Sequence, residues 1–235
     1  MYQLAPHVFA CTTGRNCMFL DLRLDRYLSV PQELMDELAP QIHDWHLSGV
    51  AQRRSGSPQG ELTQIINDLT AAGILRQYRP EFRPRRNPHP SATRDITSQS
   101  NLQVQDIPSF HRVTAFAALV SADVALRTLH LSRIIERIAG HTSSSGTVVH
   151  TERMNTACAL TDRFAALRPW YPRNYLCLFD SLALTLFLMR HNIRAEWIFG
   201  VREDPFAAHC WVQYGAVVLN DHLDRTRLYT PIMTV

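Results

Sequence analysis

Three side chains in the C-terminal third of the chain have the chemistry of a covalent catalyst: Cys177, His209 and Asp221. A thiol attacks a carbonyl carbon only as its thiolate, an imidazole takes or shares that proton, and a carboxylate holds the imidazole in one tautomer. Each residue also has a plainer reading when taken alone. Free cysteine is among the most buried residue types, a histidine can be a satisfied core residue, and an aspartate can belong to a turn. The three in this order, on segments of different secondary structure, point instead to an activated nucleophile. Cys177 lies near the start of an almost wholly apolar run, Tyr175 to His191. A helix apolar on every side is central and buried. Its first turn, where unpaired N–H groups and the helix dipole favour an anion, stabilises a thiolate. Asn192 suits the left-handed position that ends such a helix. For an oxyanion, the Cys177 N–H is one natural donor. Trp170 and Tyr175, just upstream, are either further donors or core aromatics.

The elements that must position these groups follow from periodicity. Ala195 to Val201 reads as a strand, Arg202 to Ala207 as a loop, and His209 to Tyr214 and Val217 to Asn220 as two more strands turning at Gly215. An odd-numbered loop centred on Gly215 sets Gln213 opposite Val217, Trp211 opposite Leu219 and His209 opposite Asp221. Opposed residues on one sheet face have Cβ atoms roughly 5 Å apart, near enough for a carboxylate to hold an imidazole N–H. A two-residue turn would place Asp221 on the other face, so the three-residue group makes a demand on the hairpin. Upstream, Phe110 to Ala139 has Phe116, Leu119, Val120, Val124, Leu129, Leu131, Ile134, Ile135 and Ile138 at helical spacing, and Thr151 to Leu167 is a further helix.

The N-terminal part is organised differently. His7 to Thr12, Cys17 to Leu24 and Tyr27 to Val30 read as an antiparallel meander, with Met18, Leu20, Leu22 and Leu24 on one face of the second strand and Asp21 and Arg23 on the other. A helix capped by Ser29, with Pro31 near its start, follows and presents Leu34, Leu38, Ile42 and Trp45; Pro40 breaks or kinks it. Arg53 to Gln59 is a loop. A second helix, Gly60 to Ala72, presents Leu62, Ile65, Ile66 and Leu69 and stops at Gly73. Strands followed by helices make a small winged-helix-like unit over residues 1–79. Residues 80–109, rich in proline and carrying Arg83, Arg85, Arg86 and Arg94, read as a linker. Residues 110–235 form the domain with the cysteine. The fold class is α+β.

Bulk properties narrow the function. The 235 residues carry a formal charge of +3, mildly basic, which does not demand nucleic acid. The helix Glu61 to Ala72 has no lysine or arginine with which to grip phosphate. No basic stretch followed by an apolar run opens the chain, and no apolar stretch reaches the ~18 residues that span a bilayer, so a cytoplasmic protein with no membrane partner is expected. Five cysteines, Cys11, Cys17, Cys158, Cys177 and Cys210, contain no CxxC pair and support neither a disulfide framework nor a metal site. No cofactor signature is visible, and no phosphate-binding glycine loop.

The stretch CLFDSLALTLFLMRHNIRAEWIFGVREDPFAAHCWVQYGAVVLND, Cys177 to Asp221, closely resembles the transglutaminase-like peptidase domain of lasso-peptide biosynthesis B proteins. FLDLRLDRYLSVPQELMDEL, Phe19 to Leu38, looks like the small peptide-recognition domain of ribosomal-peptide modification systems. The resemblance implies a papain/transglutaminase-like cysteine peptidase with Cys177, His209 and Asp221 as its catalytic group, fused to a recognition domain. A precursor's leader peptide would add as a strand beside Tyr27, Leu28, Ser29 and Val30 and lie against the second helix at Ile65 and Leu69, a case of β-augmentation. The leader would then be cut off, and the core passed to a macrolactam synthetase. The resemblance also implies ATP dependence of cleavage. The family often has a basic residue where this chain has Asp180. Two other readings stay open from the residues: an acyltransferase using the same three groups, and a non-catalytic peptide-binding adaptor.

Overall fold

Apolar residues at alternating and helical spacing partition the chain into two cores. The computed structural model describes residues 1–43, 45, 59–79, 91–96, 103–142 and 151–235. It divides into two units, one of Met1–Pro88, Val201–Ala207 and Thr230–Met233, the other of His89–Gly200, Ala208–Tyr229 and Thr234–Val235. The class is α+β, as expected.

In the first unit a meander of β2 (Val8–Thr13), β3 (Asn16–Asp21) and β4 (Arg26–Pro31) is antiparallel throughout, with β3 central. Helices α1 (Gln32–Leu38) and α2 (Gln59–Ala71) cover it. Two short strands that periodicity does not reveal, β1 (Tyr2–Leu4) and β5 (Leu75–Gln77), pair with each other. Cys17, Phe19, Met35, Leu38, Ile66 and Ile74 fill the core. The expected polar face of β3 is not there. Asp21 is buried at 1% exposure, while Leu24 lies in the following turn at 58%. Asp21 is tolerated inside because its carboxylate accepts the N–H groups of Arg23 (3.0 Å) and Leu24 (3.3 Å) and faces the Arg26 guanidinium at 3.3 Å. Helix α1 starts after Pro31 with no side-chain cap, so Ser29 does not cap it; Ser29 belongs to β4. Met35 and Leu38 are its buried residues, and Pro40 falls in a 3-10 turn after it. The loop expected at Arg53 to Gln59 lies outside the described residues up to its last residue, and the arginines Arg83, Arg85 and Arg86 lie outside them too.

In the second unit α3 (Ser109–Thr128), α4 (Leu131–Thr142), α5 (Thr151–Leu167) and α6 (Cys177–Arg190) follow one another. The stretch expected as one helix, Phe110 to Ala139, is two, because Leu129 is extended (φ −122°, ψ 146°) and the His130 carbonyl starts a new turn. The buried face of α3 is made by Ala115, Ala118, Leu119 and Ala122, while Val120 and Val124 are exposed. Small side chains let α3 lie along α6, its main partner. The strands β6 (Arg94–Asp95), β7 (Glu196–Arg202), β8 (Ala207–Tyr214) and β9 (Val217–Val218) lie in one sheet in the order β7-β8-β9-β6. Arg94, within the stretch read as linker, therefore pairs in a sheet, parallel to Val217. Helix α6 ends as expected. Asn192 takes φ +58°, and the N–H of Ile193 reaches back to the Leu188 carbonyl at 3.0 Å while that of Asn192 reaches Met189 at 3.0 Å, a Schellman closure. Among the described residues no helix is long and apolar enough to cross a membrane.

The left-handed backbone at Asn192 generates a stability prediction. Asn192→Ala costs about 1 kcal/mol and Asn192→Gly costs at most a few tenths, measured by urea unfolding of the full chain; equal losses for the two would show that conformation is not what Asn192 supplies.

Candidate active site

The thiol is presented by the first residue of α6. Leu176 is the N-cap, extended at φ −138° and ψ 127°, and Cys177 follows it with its side chain exposed. What fixes this entry is a residue the sequence reading passed over, Arg168. It is 3% exposed, and its guanidinium is enclosed by protein groups. Nε donates to the Asp180 carboxylate, and the other two nitrogens donate to the carbonyls of Tyr171 (3.2 Å), Arg173 (2.9 Å) and Asn174 (3.1 Å). The same guanidinium lies 4.4 Å from the centroid of the Tyr175 ring. Asp180 uses its second oxygen to accept the Leu176 N–H at 2.7 Å. One buried cation thus folds the segment before Cys177, and one carboxylate ties the cation to the helix start. The charge of Asp180, which sits where the resembled family often has a basic residue, is met by Arg168. No spacing rule connects positions 168 and 180, so sequence gave no signal for the pair.

His209 projects from β8, buried at 7% exposure, near the rings of Trp211 (6.2 Å between centroids) and Tyr229 (5.1 Å). Its Nε2 is hydrogen-bonded to Oδ2 of Asp221, leaving Nδ1 for the thiol. The other carboxylate oxygen of Asp221 accepts the His222 N–H at 2.8 Å and lies 3.9 Å from Arg225. The hairpin that brings Asp221 here differs from the expected one. Tyr214 pairs with Val217 and Gln213 with Val218, so the turn has two residues, with Gly215 at φ +59° in the first central position where such turns favour glycine. In that register Asp221 should point away from His209. It does not, because regular pairing stops after Val218: the Leu219 N–H still reaches the Val212 carbonyl at 2.8 Å, but the Val212 N–H goes to the side chain of Asn220, at 2.7 Å. Residues 219–221 bend, and strand alternation no longer governs Asp221.

The electrostatics single out one thiol of five. Burial pushes Cys11 up to about 12 and raises Cys17 and Cys158. Cys177 is pulled down to about 4, first by a hydrogen bond with the Cys210 side chain and then by one with His209, against the cost of desolvation. Cys210, buried beside it, is correspondingly raised. Burial works against a charged His209, yet the hydrogen bonds to Asp221 and Cys177 outweigh it and lift the imidazole to about 9. Asp221 is itself desolvated, but the bonds from His209 and the His222 N–H hold its carboxyl below the usual range. The thiolate exists above about 4 and the imidazolium below about 9, so the ion pair fills the interval between. Such a pair titrates as a unit.

Trp170 and Tyr175 are 67% and 66% exposed, so neither is a core residue. The residues expected to hold a peptide are placed as follows. Tyr27, Leu28, Ser29 and Val30 lie in β4, at the edge of the three-stranded sheet. Leu28, Val30, Ile65 and Leu69 share one apolar cluster. Among the described residues no group of three or more His, Cys, Asp or Glu side chains is arranged to hold a metal ion.

Two outcomes test this geometry. Iodoacetamide labels Cys177 at pH 6 at nearly its pH 7.5 rate, followed by mass mapping of the labelled peptide, whereas an ordinary thiol slows roughly thirtyfold over that interval; such slowing at Cys177 would contradict the ion pair. Arg168→Met leaves Asp180 and three carbonyls unmatched in a buried setting and costs about 3–5 kcal/mol in denaturant unfolding, while a loss under 1 kcal/mol would show the clamp to be ornamental.

Microcin J25-processing protein McjB of Escherichia coli is 47% identical over 45 residues, a match covering 19% of this chain and 22% of that protein. No solved structure matches the chain. The sequence profile of the transglutaminase-like superfamily matches residues 116–234, a span that contains Cys177, His209 and Asp221, and the chain belongs to that superfamily.

Proposed function

We propose that the chain is a leader peptidase of lasso-peptide biosynthesis, acting in the cytoplasm on a ribosomally made precursor. The observation that carries the reading is the exposed Cys177 thiol, held as a thiolate beside a His209 that Asp221 orients. The similarity to a microcin-processing protein supports a peptide substrate. The thiolate attacks the scissile carbonyl, and His209 gives its proton to the departing amine, so that the C–N bond breaks and an acyl-enzyme forms. Water, deprotonated by His209, then releases the leader as a carboxylate and frees Cys177. The Cys177 N–H is the natural oxyanion donor.

Leader recognition is proposed for the first unit. A leader strand beside Tyr27, Leu28, Ser29 and Val30 would satisfy the edge of β4, and its apolar side chains would meet the cluster that includes Ile65 and Leu69. The freed core would pass to a macrolactam synthetase. Among the described residues Gly14, Gly73 and Gly215, the glycines with positive φ, are isolated turn residues, and Arg168 and Arg173 are paired with Asp180 and Asp123. These groups do not fit a nucleotide's phosphates.

The superfamily favours a second reading, transfer of the same acyl group to an amine. Mass analysis separates them: hydrolysis adds water to the acyl product, and transfer joins it to the amine. For the peptidase, Cys177→Ala, His209→Ala and Asp221→Ala each slow leader cleavage at least about a hundredfold while leader affinity stays within twofold. Ile65→Glu weakens leader binding at least about tenfold and leaves Cys177 alkylation unchanged. Undiminished cleavage by Cys177→Ala would sink the reading.

A further inference from the structure

Each of the three residues proposed to act on substrate has a neighbour in chain or helix space that does not, and these neighbours are bonded to one another. Ser181 lies one helical turn after Cys177 and is wholly buried. Its hydroxyl donates to the carbonyl of Cys210, the residue after His209, at 3.2 Å. The Asn220 amide, from the residue before Asp221, donates to the Ser181 hydroxyl at 2.9 Å. The Asn220 carbonyl oxygen accepts the Val212 N–H at 2.7 Å. Helix α6, strand β8 and the bend carrying Asp221 thus converge on two side chains.

The second role of Asn220 is conformational. In a regular antiparallel pair Val212 and Leu219 would exchange both backbone bonds. Only one is made by backbone, from the Leu219 N–H to the Val212 carbonyl. The Asn220 side chain takes the donor that a continuing ladder would use, so the chain leaves the sheet one residue before Asp221. Without that substitution the two-residue turn would dictate the direction of the next side chain, and it would dictate the wrong one.

We infer that Asn220 is a positioning residue, anchored by Ser181, that ends β9 early and so turns the Asp221 carboxylate onto His209. This rests on the proposed roles of Cys177, His209 and Asp221 and names what aligns them. Neither Asn220 nor Ser181 needs to touch substrate. Asn220 acts through Asp221, and its loss should look like the loss of that carboxylate.

The test is the rate of iodoacetamide labelling at Cys177 as a function of pH, read by peptide mass mapping, with thermal unfolding recorded beside it. Asn220→Ala and Asp221→Ala each slow labelling at pH 6 at least about fivefold and move the profile to higher pH, as a thiol less favoured as thiolate requires. The double variant is no slower than Asp221→Ala alone, because the two residues act in series. A wild-type profile in folded Asn220→Ala overturns the inference. So does a double variant slowed by the product of the single effects, since Asn220 would then act independently. Ser181→Ala, which removes a single oxygen, carries the test if Asn220→Ala does not fold: labelling at least about twofold slower at pH 6 supports the inference, and an unchanged rate overturns it. No peptide enters this assay. A chain that shows these shifts yet cleaves no leader would therefore refute the peptidase reading and leave the positioning role standing.

Discussion

The hydrogen bond between the His209 imidazole and the Asp221 carboxylate is the constraint on which the rest of the site depends. A thiolate at the surface is ordinarily a minor species at neutral pH, and a buried imidazole ordinarily prefers to be neutral. Cys177 departs from its habit through hydrogen bonds with Cys210 and then with His209, and His209 departs from its own through Asp221 and then Cys177, in a position that burial alone would neutralise. Asp221 bears its own desolvation through the His222 N–H and the nearby Arg225. The chain of dependence runs inward from an exposed sulfur to a carboxylate whose side chain is almost covered.

Much of this was legible in the residues. The apolar run after Tyr175 marked a buried helix with a cysteine at its head, and Asn192 marked its end. His209 and Asp221 were legible as types on a strand and at its turn. The hairpin register was not, because Gly215 suits both a three-residue loop and the two-residue turn that forms, and the bend at Asn220 that restores the contact lies outside any regular ladder. Asp221 reaches His209 despite the two-residue turn. The break between α3 and α4 was hidden for a related reason: no Gly or Pro marks it, and apolar spacing continues through Leu129 and Leu131. Helical spacing picks out Val120 and Val124, whereas the buried face of α3 is made mostly of alanines, which close helix packing favours. Arg168 escaped because buried cations are rare enough that an arginine in a turn-rich segment reads as solvated.

The first unit follows a different logic. Its three-stranded sheet buries Cys17, Phe19 and Leu20 on the central strand and leaves β4 at an edge. Unpaired strand edges invite another strand, and proteins usually blunt them. Here the edge carries Leu28 and Val30 toward the same apolar cluster that α2 joins through Ile65 and Leu69.

The hydrogen bonds that lower Cys177 come from Cys210 and His209, both on β8. Helix α6 supplies the sulfur, yet the carboxylate nearest its opening, Asp180, occupies the Leu176 N–H that would otherwise add to the positive end of the helix. Reactivity in this protein is therefore a property lent by one strand to whatever thiol is held against it. A grafted α6 would carry an ordinary cysteine, because the hydrogen bonds that lower its thiol stay behind on β8.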